Sequence, residues 1–454
     1  MTRSSRTAVA LAISLLGLAI LAPASGVAGS SASTARTQPG ATAQFERASD
    51  EIATLSPSSR RAHPAAGESS GRVAVHGAGA SAASARPMPA TVAKTSAAAP
   101  QKVYVSVVSA TSKTSDDVNK SMTEAAVKKV VAYASSYWSA QSGGAVTFAF
   151  AGYETRSIGE QSCNASDVLA TEESDAFDGR FSDHAWIGSN EHLLILSRES
   201  CGAQSFATVS DGDGEIFSGN GIGSAMGEPY LLHEFGHNLG FAHADGSICE
   251  STRTYDAELS SYGFTSTTCP TTEYDDYLDI MGYTVRGATP NVSSVQRILA
   301  GWMTNYASVD GGAGRHTITL KPLGATGGTQ AIVVTDPVSG EDYYVEYRAP
   351  VRRDTTSAEF NYKLQCGGAH GGYSICNLGS SATYGVVRIL RALPVDGAFG
   401  TTALAVARVS GSSAHRATRL SAGLTFANFD GGFTVKVNSL SISRGASITV
   451  TLLK

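Results

Sequence analysis

The period of the hydrophobic positions changes along the chain. Residues 102–108 (Lys-Val-Tyr-Val-Ser-Val-Val) alternate and are rich in β-branched side chains, as in a strand. Ser115, Asp116 and Asp117 offer an N-cap and an acidic first turn. Behind them Val118, Met122, Ala125, Ala126, Val130, Ala134 and Tyr137 recur at helical spacing up to a Gly143-Gly144 stop. Strands are expected at 146–150 and, fully apolar, at 193–196. Strand, helix, strand predicts a crossover connection in a twisted mixed sheet. Further helices are predicted over about 228–239 and 292–302. Beyond residue 305 the pattern shortens to alternating runs at 316–320, 331–334, 343–347, 385–389, 433–437 and 447–452, separated by Gly-rich turns. That spacing suggests a β sandwich or barrel. The expected architecture is an α+β domain over 101–305 followed by an all-β, sandwich-like domain over 306–454.

The residues before 101 follow a different logic. Arg3 and Arg6 precede an uncharged apolar run over 8–21, and Ala22-Pro23-Ala24 supplies a small-x-small cleavage pattern. The run falls short of the roughly 18–20 residues a spanning helix needs. Residues 1–24 therefore read as a secretory signal peptide, with Gly26-Val27-Ala28 a second cleavage candidate. No later stretch is apolar enough to span a membrane. In 25–100, 47 of the 76 residues are Ala, Ser, Gly or Thr, and Phe45 is the only aromatic. Such a segment buries too little apolar area to offset its ordering entropy. It reads as a pro-segment or a linker, with the mature chain expected to start near Gln101.

Composition narrows the class. Only 16% of the 454 residues are charged, against roughly a quarter in an average domain, and the net charge is −5. The absence of a basic excess argues against nucleic acid as a partner. The expectation is a secreted, extracellular, monomeric protein. In that oxidising setting the six cysteines read as three disulfides, with 15 connectivities open. Neighbour pairing (Cys163–Cys201, Cys249–Cys269, Cys366–Cys376) closes the shortest loops.

The chemistry concentrates at 233–243. His233 and His237 are four residues apart, so on a helix both imidazoles project from one face and can reach one zinc ion at about 2.0–2.1 Å. Glu234 lies beside them, able to handle the proton of a water without occupying a ligand position. Gly240 can end the helix at positive φ and let the chain turn back to present His243 as third ligand. Three protein ligands leave a fourth position open, as in catalytic rather than structural zinc sites. A bare H-E-x-x-H arises by chance in about 1 in 100 such chains, and the form extended by Gly240 and His243 in about 2 in 100,000.

This extended motif resembles that of the metzincin metalloproteases. The resemblance implies a turn with a methionine beneath the metal, and Asp279-Ile-Met-Gly-Tyr283 supplies it, with Met281 at the matching position. Tyr283 matches the place where some members set a metal-facing tyrosine; it would bind zinc at rest, donate to a developing oxyanion, or serve as a buried structural residue. The segments 233–244 and 274–282 look most like the gametolysin-like group. The resemblance implies a secreted zinc endopeptidase acting on proteins or peptides. The alternative is an extracellular binding or adhesion module whose metal site is vestigial. No cysteine precedes Cys163, so latency through a pro-segment thiolate is excluded.

Weaker signals remain. Asp211, Asp213 and Glu215 stand among glycines and suit calcium. Glu273, Asp275, Asp276 and Asp279 form an acidic cluster from which one member would orient a ligand imidazole or cap the turn. Tyr343, Tyr344, Tyr347, Tyr362 and Tyr373 serve either core packing or a docking surface.

Overall fold

Strands in the first half run where the apolar character is densest. β1 (Gln101–Ser109), β2 (Phe148–Ser157), β3 (Glu191–Ser197), β4 (Ser205–Ala207) and β5 (Gly214–Ser218) form one sheet in the order β2-β1-β3-β5-β4. β1 pairs in parallel with both β2 and β3, and β3 with β5, while β4 is antiparallel to β5. The crossover from β1 to β2 is α1 (Glu124–Ser142), as the strand–helix–strand pattern predicts. The computed structural model describes residues 99–109, 122–157, 165–198, 205–210, 212–219, 227–247, 256–260, 263–264, 271–283, 287–361, 384–395, 398–404, 407–408, 416–417 and 419–453. The expected signal peptide, the Ala/Ser-rich segment up to residue 98, the expected helix cap at Ser115–Asp117, all six cysteines, Asp211, Tyr362 and Tyr373 lie outside them. Among the described residues no helix is long and apolar enough to cross a membrane.

α1 begins later than its expected cap at Ser115. Thr123 is the N-cap, its hydroxyl accepting from the Ala126 N–H at 3.3 Å, and Gly143 closes the helix at φ 64°. The buried stripe is Val127, Val131, Ala134, Tyr137, Trp138 and Gln141; Ala125 is exposed, and Met122 is buried but precedes the helix. The expected register thus slips by one residue over the first turns, because alternative 3.6-residue stripes through Ala- and Val-rich sequence are equally apolar. β3 and β5 are buried on both faces, whereas the edge strand β2 is not. Val103, Val105, Val107, Leu194 and Leu196 face α1, whereas Val108, Leu193 and Ile195 face α2 (Ala165–Asp175) with Val168 and Leu169. A strand covered on both sides has no reason to alternate, which explains the continuous Leu-Leu-Ile-Leu of β3.

α3 (Gly227–Asn238) packs Leu231, Leu232 and Phe235 into the core shared with α1. After it come β6 (Phe241–Ser247), the short hairpin β7 (Leu259–Ser260) and β8 (Gly263–Phe264), β9 (Thr271–Thr272), and α4 (Ser294–Leu299), which is shorter than the helix expected at 292–302. The second half contains β10 (Tyr306–Val309), β11 (Gly314–Leu320), β12 (Ala331–Thr335), β13 (Asp342–Arg348), a helical turn α5 (Ala358–Asn361), β14 (Val386–Val395), β15 (Ala398–Leu404), β16 (Ala407–Arg408), β17 (Arg416–Ala417), β18 (Thr425–Ala427), β19 (Phe433–Ser439) and β20 (Ala446–Leu452). A four-stranded sheet, β11-β20-β19-β18, faces a seven-stranded one, β10-β12-β13-β14-β15-β6-β9. Their shared core holds Tyr343, Val345, Tyr347, Val387 and Ile389 from one side and Phe426, Phe433, Val435, Ile448 and Val450 from the other. This is a sandwich-like packing of two sheets. Tyr343 and Tyr347 are core residues, and Tyr344 is buried on the opposite face beside Val295 and Leu390.

The larger hydrophobic cores fall on either side of residue 305, but smaller clusters join Val295 to Tyr344 and Leu390 and Met303 to Leu323 and Ala331, and the seven-stranded sheet does not stop there either. β15 pairs in parallel with β6, the strand that follows the helix of the H-E-x-x-H motif. The sheet face turned away from the sandwich core also carries charge into this junction. Glu346 accepts from Arg348 at 2.7 Å, from Arg388 at 3.1 Å and from the Ser294 N–H at 2.8 Å. Arg388 also pairs with Asp276, and Arg348 with Asp354 at 2.8 Å. All five side chains of this network are buried. The coarse fold is mixed α and β, with several sheets and few helices.

Candidate metal centre

His233 and His237 lie one turn apart on α3, and His243 lies two residues into β6. Gly240 makes the reversal at φ 88°, a conformation open to glycine, and its N–H donates to the His237 carbonyl at 3.0 Å. Against β15, the register passes from Phe399↔Phe241 to Thr401↔Ala244, so β6 carries one extra residue between them. Such a bulge re-aims a side chain, here at His243. The donor nitrogens of the three imidazoles come within 4.8 Å of one another.

Each ring is held from behind. His233 Nδ1–H donates to the Ile280 carbonyl at 2.9 Å, His237 Nδ1–H to the Phe241 carbonyl at 2.7 Å, and His243 Nδ1 meets Glu273 Oε1 at 2.5 Å. These acceptors fix the tautomer and leave every Nε2 as a lone pair. Burial and the neighbouring imidazoles lower the pKa of His233, to about 3, and that of His237 well below the ordinary value, so both are neutral. Two such lone pairs, His233 Nε2 and His237 Nε2, sit 3.1 Å apart. Ligands at about 2.0–2.1 Å from one tetrahedral zinc would be roughly 3.3 Å apart. His243 Nε2 is buried without a hydrogen-bond partner. Facing lone pairs and an orphaned buried acceptor are costly without a cation, and an all-imidazole donor set suits zinc. The residues fit the metal.

Glu234 faces the same region from the helix. It is 3% exposed, its Oε2 has no hydrogen-bond partner, and burial raises its pKa well above the ordinary carboxyl value. Beneath the helix, Met281 is fully buried against Gly236: a methyl group on Gly236 would lie 2.3 Å from the Met281 sulfur. The turn is anchored by Asp279, whose Oδ1 accepts from Met281 N–H at 2.9 Å and whose Oδ2 accepts from Ser293 N–H at 2.6 Å. The Met281 carbonyl accepts from Ala244 N–H at 2.9 Å, tying the turn to β6. Within the acidic cluster, Glu273 thus orients an imidazole and Asp279 caps the turn.

Tyr283 is half-buried, with its ring 5.1 Å from that of Tyr277. The ring that covers the ligands is Tyr274, centred 4.0 Å from His243 and 5.8 Å from His233, on a backbone at φ 61°. Tyr230, one turn before Glu234, has its pKa pushed up to about 12 by burial and by the nearby Tyr283 and Glu234. The place of Tyr274 over the ligands does not show in sequence spacing, because it reaches the site through a turn conformation. Of the expected calcium ligands, Asp213 accepts the Gly188 N–H at 2.6 Å, whereas Glu215 groups with Glu173 and His184. The carboxylates are divided between two jobs because Asp213 caps the turn at 188–190.

No protein-family model matches the chain, and no curated protein matches it.

Proposed function

We propose that this protein is a secreted zinc-dependent endopeptidase of metzincin type, most similar to the gametolysin-like group, acting on extracellular proteins or peptides. The observation that carries the reading is the convergence of His233, His237 and His243, each fixed through Nδ1, beside a buried carboxylate that is not one of the three. His233, His237 and His243 would hold the ion. Zinc, when bound, supplies Lewis acidity that polarises a peptide carbonyl and makes water more acidic.

The rest of the work belongs to the chain. Glu234 accepts a proton from the attacking water and delivers it to the departing amine nitrogen. Its lack of a hydrogen-bond partner leaves Oε2 available for that transfer. Ile280, Phe241 and Glu273 keep the imidazoles in the ligating tautomer, and the Tyr274 ring against His243 keeps that imidazole from tilting. To Tyr283 we assign donation to the oxyanion that forms as the carbonyl is attacked.

The test uses protein recovered from culture medium and a quenched-fluorescent peptide pool. Hydrolysis should stop with a zinc chelator and return when zinc is restored. Hydrolysis indifferent to the chelator would reject the reading.

A further inference from the structure

On the far side of the five-stranded sheet a second set of donors converges. Glu173 comes from α2, His184 from the short helical turn Ser182–His184, and Glu215 from β5; one donor atom of each lies within 4.8 Å of the others. We infer that Glu173, His184 and Glu215 form a second divalent-metal site, for a first-row transition-metal ion of the zinc class, distinct from the three-histidine centre.

Glu215 carries the argument. It is 2% exposed, and its Oε1 has no hydrogen-bond partner. The Trp186 indole N–H faces it and offsets its burial only partly. His184 cannot satisfy the cluster alone. Its Nδ1 lies 2.5 Å from Glu173 Oε1, and its backbone N–H donates to the same oxygen at 3.1 Å, leaving Glu215 uncompensated. Even a protonated imidazole would set one positive charge against two negative ones. A dication would neutralise both carboxylates and complete the charge balance.

The donor set selects the ion. Calcium takes six to eight oxygens, whereas one imidazole with two carboxylates suits zinc or its neighbours. The site would staple α2, the turn and β5. The consequence for the first centre is structural: the Glu215 carbonyl accepts from Asn238 Nδ2 at 3.3 Å, and Asn238 follows His237 directly.

The experiment is metal counting on the full-length chain, stripped with chelator, reloaded with zinc and freed of excess by gel filtration. The wild type should hold two zinc ions per chain. His237→Ala should hold one, and adding Glu173→Gln or His184→Ala to it should leave none. The His184 side chain is 37% exposed, so its truncation disturbs little packing, and the isosteric Glu173→Gln provides an independent route. A wild type that holds one ion, lost in His237→Ala, would overturn the inference, as would a His237→Ala ion that survives both second substitutions. A wild type holding one ion that His184→Ala removes and His237→Ala does not would uphold this site while rejecting the three-histidine one.

Discussion

Gly236 sits inside α3, where replacing glycine with alanine ordinarily stabilises a helix by about 1 kcal/mol. Here the sign should reverse. The added methyl would lie 2.3 Å from the Met281 sulfur, 3.0 Å from its terminal carbon and 3.1 Å from Cζ2 of Trp138. Met281 and Trp138 are both fully buried, so neither can swing into solvent. Overpacking of this kind costs about 1–3 kcal/mol, and contact well inside van der Waals separation puts it near the upper end. Gly236→Ala should therefore destabilise by about 2 kcal/mol net. Met281→Ala alone should cost about 2–5 kcal/mol, yet in its background Gly236→Ala should be neutral or recover up to about 1 kcal/mol, because the sulfur and its methyl are gone and only Trp138 at 3.1 Å still presses on the added carbon. The coupling between the two substitutions is then about 2–3 kcal/mol. Urea unfolding of the four proteins, followed by tryptophan fluorescence, measures it. A Gly236→Ala protein as stable as wild type, or effects that simply add, would refute the packing of helix on turn described above.

Further outcomes follow from the buried charges. His192 is fully buried, and burial lowers its pKa to about 4 against a hydrogen bond from its ring to Asn238. The unfolded chain takes up that proton near pH 6.5 and the folded chain only near pH 4, so stability falls as pH drops through this window, by about 3 kcal/mol in all. Unfolding curves at pH 7, 5.5 and 4 should show that this part of the acid sensitivity disappears in His192→Gln; an unchanged pH slope contradicts it. Burial would raise the Glu346 pKa, but Arg348 and Arg388 outweigh it and hold the carboxyl at about 2. Arg348→Met should therefore cost about 3–5 kcal/mol in chemical denaturation, since Asp354 and Glu346 lose a buried partner. A loss under 1 kcal/mol would mean the network contributes little.

The legible and illegible parts of this chain divide on physical grounds. The five-stranded sheet announced itself through β1 and β3, whose apolar runs are long, and through the helix between β1 and β2. Short strands such as β4 and β5 carry little pattern, and β6 reads Phe-Ala-His-Ala-Asp-Gly-Ser, which no β propensity favours. It becomes a strand because β15 supplies a partner some 150 residues away in sequence, a pairing that no local pattern contains. The three histidines were readable because their spacing is itself the geometry of α3 and the Gly240 reversal. Glu273 and Asp279 were readable only as members of an acidic cluster, and their division of labour depends on where β6 and α4 come to rest. Glu173 gave no signal, and Tyr274 showed only as the start of the segment 274–282 without a role of its own, since each reaches its neighbours through tertiary packing alone.

The central claim concerns Glu234, and substituting it separates metal holding from proton transfer. Wild type and Glu234→Gln, each recovered from medium with zinc content measured, would be incubated with a mixture of extracellular proteins and the new peptide N-termini counted by mass spectrometry. General acid–base groups contribute about 10²–10⁴-fold, so Glu234→Gln should keep its zinc and lose cleavage by at least that order. Wild-type protein that holds zinc but generates no new N-termini, or a Glu234→Gln protein that cuts at half the wild-type rate, would contradict the account.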